Sequence, residues 1–319
     1  MENCFDVVAL GELLIDFTQE GFSDQGNPVF QANPGGAPCN VLAMLQKLGK
    51  RCAFIGKVGD DVFGHQLRDV VQSVGICTDQ LLMAEDVRTT LAIIKTKADG
   101  DREFSFYRNP GADIMLRPEE VSKEFVTSGR IFHFGSLSMT HCPAYEATSK
   151  AICVAKAAGC LISFDPNLRP PLWESLELAK ERICEGLSQC DILKIADNEL
   201  EFITGETDFY VGALQLKERF PNIRLLNVTA GAQGSYCLYD DQWIFVPAFA
   251  LGGTIETTGA GDTFCACVLN YILENGLDGL REEQLTAMLR FANAAAYLVT
   301  TKKGAILSMP TKEQVLKLL

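Results

Sequence analysis

A chain of 319 residues, 47% hydrophobic and 22% charged, carries enough apolar material for a large core and too much to remain disordered. Its formal net charge of −13 sets it against nucleic acid and anionic membrane surfaces, so an anionic ligand has to be drawn in by local positive features. No apolar run approaches the ~20 residues that span a bilayer. The opening MENCFDVVALGE has no basic leader, and the twelve cysteines read as reduced, mostly buried thiols of a cytoplasmic protein. The closest pair, Cys265 and Cys267, lacks zinc spacing, and His65, His133 and His141 do not make a histidine-rich metal centre.

In chain order, Phe5 to Leu10 reads as a strand ended by Gly11, with Asp16 just beyond it. Pro28 to Ala32 is a short extended segment that enters the Gly35-Gly36 pair. In NPGGAPCNVLAMLQKLG the glycines permit close backbone approach, Pro38 suits a first helical position and Asn40 projects from the first turn. Val41, Leu42, Leu45 and Leu48 share one helical face. A turn with a helix cap explains this stretch; so does a ring of hydrogen-bonding groups, Asp16 included, for a polyol. Cys52 to Val58 is the next strand, and Phe63, Leu67, Val70, Val71 and Val74 mark the next helical face.

Thr90 to Lys97 and Arg102 to Arg108 flank the turn sequence ADGD and form a hairpin, with Phe104 and Phe106 alternating against Glu103 and Ser105. The apolar runs Ile131–Phe134, Leu161–Phe164, Ile192–Ile195 and Leu225–Val228 follow, with helical stretches between most of them. Apolar strands separated by helices predict an α/β fold with a mostly parallel sheet covered on both faces. One-sided strands do not belong in such a sheet, so the hairpin and the 28–32 segment are assigned to a small flap. Without a linker or an internal repeat, residues 1–319 read as one domain with a lid made from about residues 12–33 and 89–111.

ETTGAGDTF, residues 256–264, places three tiny residues before a lone carboxylate. The stretch from Ala260 continues as a helix with Phe264, Val268, Tyr271 and Ile272 on one face and Gly276 as its stop. Gly259, Ala260 and Gly261 therefore lie at a helix N-terminus, where unpaired amides and the positive end of the dipole accept an anion. Asp262 in the first turn can take a proton from a hydroxyl attacking a phosphoryl group. It can equally serve only to cap its helix.

GGAPCN, with Gly49 and Gly59 downstream, and TTGAGDTF near the C-terminus resemble, in type and order, the two motifs of the PfkB (ribokinase-like) carbohydrate kinases. The resemblance covers essentially the whole chain. It is nearest to fructokinases in GELLIDF, FIGKVGDDVFG, FYRNPGADIML, DPNLRPPLW, LEFITG and TTKKGAI. It implies a three-layer α/β/α sandwich with a small β-sheet lid, and ATP with Mg²⁺ as the phosphoryl source.

By position, the resemblance makes Asp262 the catalytic base and Gly259, Ala260 and Gly261 its anion hole. Asp16, Gly35, Gly36 and Asn40 become sugar-binding positions, and Arg108, Asn167 and Arg169 candidates for sugar or phosphate contacts. Asn198 and Glu201 match an NxxE motif that organises Mg²⁺ and its water. Thr229, Gly231 and Gly234 form the nucleotide loop, and Asn293 with KKGAI borders the adenine pocket. Glu256 stands where many members carry Asp at a monovalent cation site, which puts dependence on K⁺ in question. Leu42 and Cys267 replace smaller residues, and VTAGAQG departs from the usual nucleotide loop.

The resulting expectation is an ATP-dependent fructokinase making fructose 6-phosphate, with the lid closing to exclude water and pairing in a homodimer. Another sugar kinase of the family, for 2-keto-3-deoxygluconate or ribose, is the nearest alternative, and Arg108 then serves as part of a carboxylate clamp. A regulatory relative without catalysis is disfavoured because the base and the anion hole are intact. A dinucleotide dehydrogenase is excluded by the lack of G-x-G-x-x-G after the first strand.

Overall fold

Backbone groups buried away from water must pair, and each apolar run of the sequence pairs in a ladder of strands. The computed structural model describes residues 4–96 and 102–319. Its strands are β1 (Phe5–Leu10), β2 (Leu14–Phe22), β3 (Pro28–Gly35), β4 (Cys52–Gly59), β5 (Cys77–Ala84), β6 (Leu91–Thr96), β7 (Arg102–Tyr107), β8 (Gly129–Gly135), β9 (Leu161–Asp165), β10 (Ile192–Ala196), β11 (Leu225–Thr229), β12 (Gly234–Tyr239) and β13 (Gln242–Pro247). A nine-stranded sheet has the order β13-β12-β11-β10-β9-β8-β1-β4-β5. Neighbours from β11 to β5 run parallel, and β12 and β13 add an antiparallel edge.

The helices are α1 (Ala37–Lys47), α2 (Val62–Ser73), α3 (Lys123–Val126), α4 (Ala144–Ala157), α5 (Leu176–Leu187), α6 (Asp197–Thr204), α7 (Phe209–Arg219), α8 (Ala260–Asn275), α9 (Glu282–Thr300) and α10 (Lys312–Leu316). Successive side chains of a strand face opposite ways, so β1 sends Val7 and Ala9 into one core and Val8 and Leu10 into the other. Helices α1, α2, α8, α9 and α10 cover the first face, and α3 to α7 the second. The predicted α/β/α sandwich is therefore observed. On α1 the expected stripe is buried, but so is every residue from Pro38 to Leu45, because α8 packs on the helix from outside. No helix among the described residues is long and apolar enough to cross a membrane.

Four strands stand apart in a second sheet of order β3-β2-β6-β7. Two antiparallel pairs, β2–β3 and β6–β7, are joined through the parallel pair β2–β6. The expected ADGD turn, residues 98–101, lies outside the described residues. Parallel strands point their carboxyl ends the same way, so the segments following β1, β8, β9, β10 and β11 gather on one edge of the main sheet, where open α/β sheets place their ligands.

Candidate active site

A cavity of about 460 Å³ opens at that edge. Its walls come from the ends of the parallel strands, the first turns of α1 and α8, and Leu14, Asp16, Ile94 and Phe106 of the small sheet. Gly259, Ala260, Gly261 and Asp262 line it at the start of α8. Gly259 has φ 80°, and a Cβ there would stand 2.8 Å from the Ala305 Cβ, so conformation and space both require glycine. No side chain caps the sixteen-residue α8, and of its first-turn amides that of Ala260 donates to the Thr257 carbonyl at 3.3 Å.

Asp262 accepts a hydrogen bond from Asn40 Nδ2 at 2.7 Å, which joins the two sequence motifs in one site. Burial, followed by the neighbouring Asp165 charge, pushes the Asp262 carboxyl up to about 6, while the Asn40 bond, Lys194 and Arg169 pull the other way. Asn40 is 4% exposed, and its Oδ1 accepts no hydrogen bond from the described residues.

The glycine pair serves the protein as much as any ligand. A Cβ on Gly35 would lie 2.2 Å from Asp16 Oδ2, and one on Gly36, whose φ is 135°, would lie 2.4 Å from the Glu12 carbonyl. Gly36 lines the cavity with Asp16 and Asn40, and Gly35 does not. Asn167 and Arg169 line the cavity after β9, and Asn167 holds φ 48°, a left-handed conformation that Asn tolerates better than most residues. Thr229, Gly231, Gly234 and Asn293 line the cavity too. Asn293 also ties α9 to the end of β13, donating to the Val246 and Pro247 carbonyls at 3.0 and 3.2 Å.

Four predicted residues, Gly35, Arg108, Glu201 and Glu256, are not among the residues that line the cavity. Arg108 is buried with Asp113: its Nε donates to Asp113 Oδ2 at 2.8 Å, Nη1 to Thr140 Oγ1 at 3.0 Å and Nη2 to the Leu137 carbonyl at 2.9 Å. Glu201 is exposed on α6, whereas Asn198 reaches the cavity from the same helix. The buried carboxylate of that segment is Glu199, which accepts from the Leu168 amide at 2.6 Å and the Ala196 amide at 2.8 Å.

Glu199, Lys194 and Glu12 line the cavity as well, and the sequence reading passed over all three. Each had a signal. Lys194 interrupts the apolar run ILKIA of a central strand, where a charge is rarely buried unless paired. Glu12 lies two residues past the end of β1, and its Oε1 accepts from the Ala37 amide at 2.8 Å. Burial pushes the Glu12 carboxyl up to about 7 despite that bond.

The pattern of the pfkB family carbohydrate kinases matches residues 5–312. This chain belongs to that family. The resemblance read from the two motifs is thereby borne out over nearly the full length. Probable fructokinase-2 of Arabidopsis thaliana is 43% identical over 316 residues, covering 98% of this chain and 95% of the relative. Fructokinase-2 of Solanum habrochaites is 42% identical over 322 residues, covering 98% and 95%. Among solved structures, the ATP-bound fructokinase from Xylella fastidiosa superposes with a TM-score of 0.89 at 31% identity, covering 98% of this chain and 97% of that one. A double mutant of the fructokinase from Vibrio cholerae O395, in its fructose, ADP and potassium ion bound form, superposes with a TM-score of 0.87 at 27% identity, covering 99% of each chain.

Proposed function

We propose that this kinase is an ATP-dependent fructokinase that moves the γ-phosphoryl group of ATP to the 6-hydroxyl of D-fructose. The observation that carries this reading is the Asn40–Asp262 pair at the N-terminus of α8, set midway along one cavity. Asp16 and Asn40 mark the sugar end, and the unpartnered Oδ1 of Asn40 is an acceptor for a sugar hydroxyl. Thr229, Gly231, Gly234 and Asn293 mark the nucleotide end. Asp262 takes the proton of the attacking hydroxyl, and the amides of Gly259, Ala260 and Gly261 offset charge on the phosphoryl oxygens. Fructose is favoured by the relatives' names over 98% of the chain. Arg108, the cation that a keto acid would need for its carboxylate, is committed to Asp113.

We read residues 1–319 as one kinase unit whose lid spans about residues 12–33 and 89–111, closing Leu14, Ile94 and Phe106 over the sugar to keep water from competing as acceptor. Among the described residues no cluster of three or more acidic, histidine or cysteine side chains is arranged for a metal. That suits Mg²⁺ delivered on the nucleotide, which keeps most of its waters and needs few protein ligands. Asn198 and, through water, Glu201 would hold it, and when bound it supplies charge neutralisation at the phosphates. For a monovalent cation the fit is poor: Glu256 Oε1 accepts from Thr258 Oγ1 at 2.5 Å and Oε2 from the Gly304 amide at 3.0 Å. The twelve cysteines, all free, accord with a reducing cytoplasm.

Coupled ADP-release assays with ATP and Mg²⁺, comparing fructose, ribose, glucose, mannose and 2-keto-3-deoxygluconate, test the reading. Fructose should give by far the largest kcat/KM. Another winner would keep the phosphoryl chemistry and overturn the sugar assignment, and inactivity on all five would favour a regulatory binding role. The lid also leaves Phe22 71% and Tyr107 66% exposed, apolar surface suited to a second copy of the chain in a homodimer. Light scattering at micromolar protein should return twice the chain mass, and a monomeric value removes the dimer.

A further inference from the structure

Beneath the first turn of α8 lies a buried cation that the reaction described above does not use. Lys194 sits in the centre of the parallel sheet, 7% exposed, and reaches the cavity floor from β10. Its Nζ is fixed 3.1 Å from both oxygens of Asp165 on β9, itself 2% exposed. The same Nζ would stand 3.0 Å from a Cβ on Gly261, so the ammonium lies against the backbone of the anion-binding turn, one residue from the base. A solvated lysine has no reason to occupy that position, since burying an ammonium costs several kcal/mol unless its partners repay it.

We infer that Lys194 is a positioning residue for phosphoryl transfer: anchored on Asp165 under the first turn of α8, its ammonium keeps the Asp262 carboxylate in the ionised form that accepts the sugar's proton. This rests on the kinase reading given above. The charge balance supports it. Burial works against the Lys194 ammonium, but Asp165, Glu199 on α6 and Asp262 outweigh burial and hold its pKa above the ordinary lysine range. His133 on β8 is kept neutral by burial and by Lys194, its pKa driven down to about 3, so it supplies no charge here. Facing Asp262 are Asn40 from α1, Asp165 from β9, Lys194 from β10 and Arg169 from the segment after β9. Arg169 is exposed and its Nη1 donates to the Leu168 carbonyl at 3.1 Å, which leaves Lys194 as the buried cation of the cluster. The arrangement also explains why residue 261 is glycine: a side chain there would press on the ammonium.

The test is the carboxyl ¹³C shift of Asp262 in the apo protein, assigned by difference against Asp262→Asn and followed through a pH titration. Lys194→Met should move the Asp262 midpoint upward by about one unit or more, and Lys194→Arg should restore it. Arg169→Gln should move it less. In turnover, the acid limb of kcat/KM should shift by the same amount in Lys194→Met, a displacement that loosened packing alone does not produce. Lys194→Gln, which is neutral, smaller and keeps an amide donor on the Asp165 side, takes the place of Lys194→Met if that chain does not fold. A folded charge-free variant with an unmoved Asp262 midpoint overturns the inference. The titration is read without substrate, so it decides the role of Lys194 even if no sugar in the panel is phosphorylated.

Discussion

Asp262→Asn is expected to lower kcat/KM for fructose by at least ~100-fold, the usual scale for loss of a general base, while leaving the fold intact. The amide keeps the size of the side chain but cannot accept the hydroxyl proton. The wild-type acid limb follows from the same group. With the carboxyl held at about 6, the base form is lost as pH falls, so kcat/KM should drop about tenfold per unit below pH 6. The variant should show no such limb. Stability should move the opposite way. A carboxyl raised from 3.8 to about 6 contributes stability that is present at low pH and lost as pH rises through 6. Removing the charge should therefore stabilise the apo protein at pH 8, by at most about 3 kcal/mol. An active Asp262→Asn enzyme, measured with the ADP-release assay, would refute the assignment of the base.

Arg108→Met should cost stability rather than substrate affinity. The guanidinium and its partner are 4% and 1% exposed, and breaking such a pair from one side leaves Asp113 as a buried, uncompensated charge. The expected loss is about 3–5 kcal/mol in urea unfolding. The network is also what roots β7 to the main body, through Thr140 and the Leu137 carbonyl. Were Arg108 instead a sugar contact, as its place in FYRNPGAD suggested, the unfolding midpoint would stay put and KM would rise. Measuring both on one preparation separates the two roles.

The sheet strands of the sequence were legible because doubly covered parallel strands are continuous apolar runs, and β1, β8, β9, β10 and β11 all stand out that way. The glycine-rich start of α8 was legible because glycine clusters next to a helix-forming stretch are uncommon. The parallel pairing of β2 with β6 was not, since it brings Asp16 and Ala92 together across a span that no local pattern spells out. The antiparallel edge β12–β13 went unread although two apolar runs, Tyr236–Tyr239 and Trp243–Val246, flank the turn at Asp240 and Asp241. The lone charges proved hardest. Lys194 and Glu12 each sit inside stretches whose other residues announce a strand, and their roles depend on partners from β9 and α1 that the sequence does not place beside them.

The hydrogen bond from Asn40 to Asp262 spans 222 positions of the chain. During synthesis Asn40 is made first, and Asp262 emerges only with the last fifth of the polypeptide. No fragment cut short of α8 contains both partners of that bond. Turnover thus reports completion of folding across the whole molecule. Two fragments split in an exposed loop between the motifs should each be silent alone and regain activity only on reassembly.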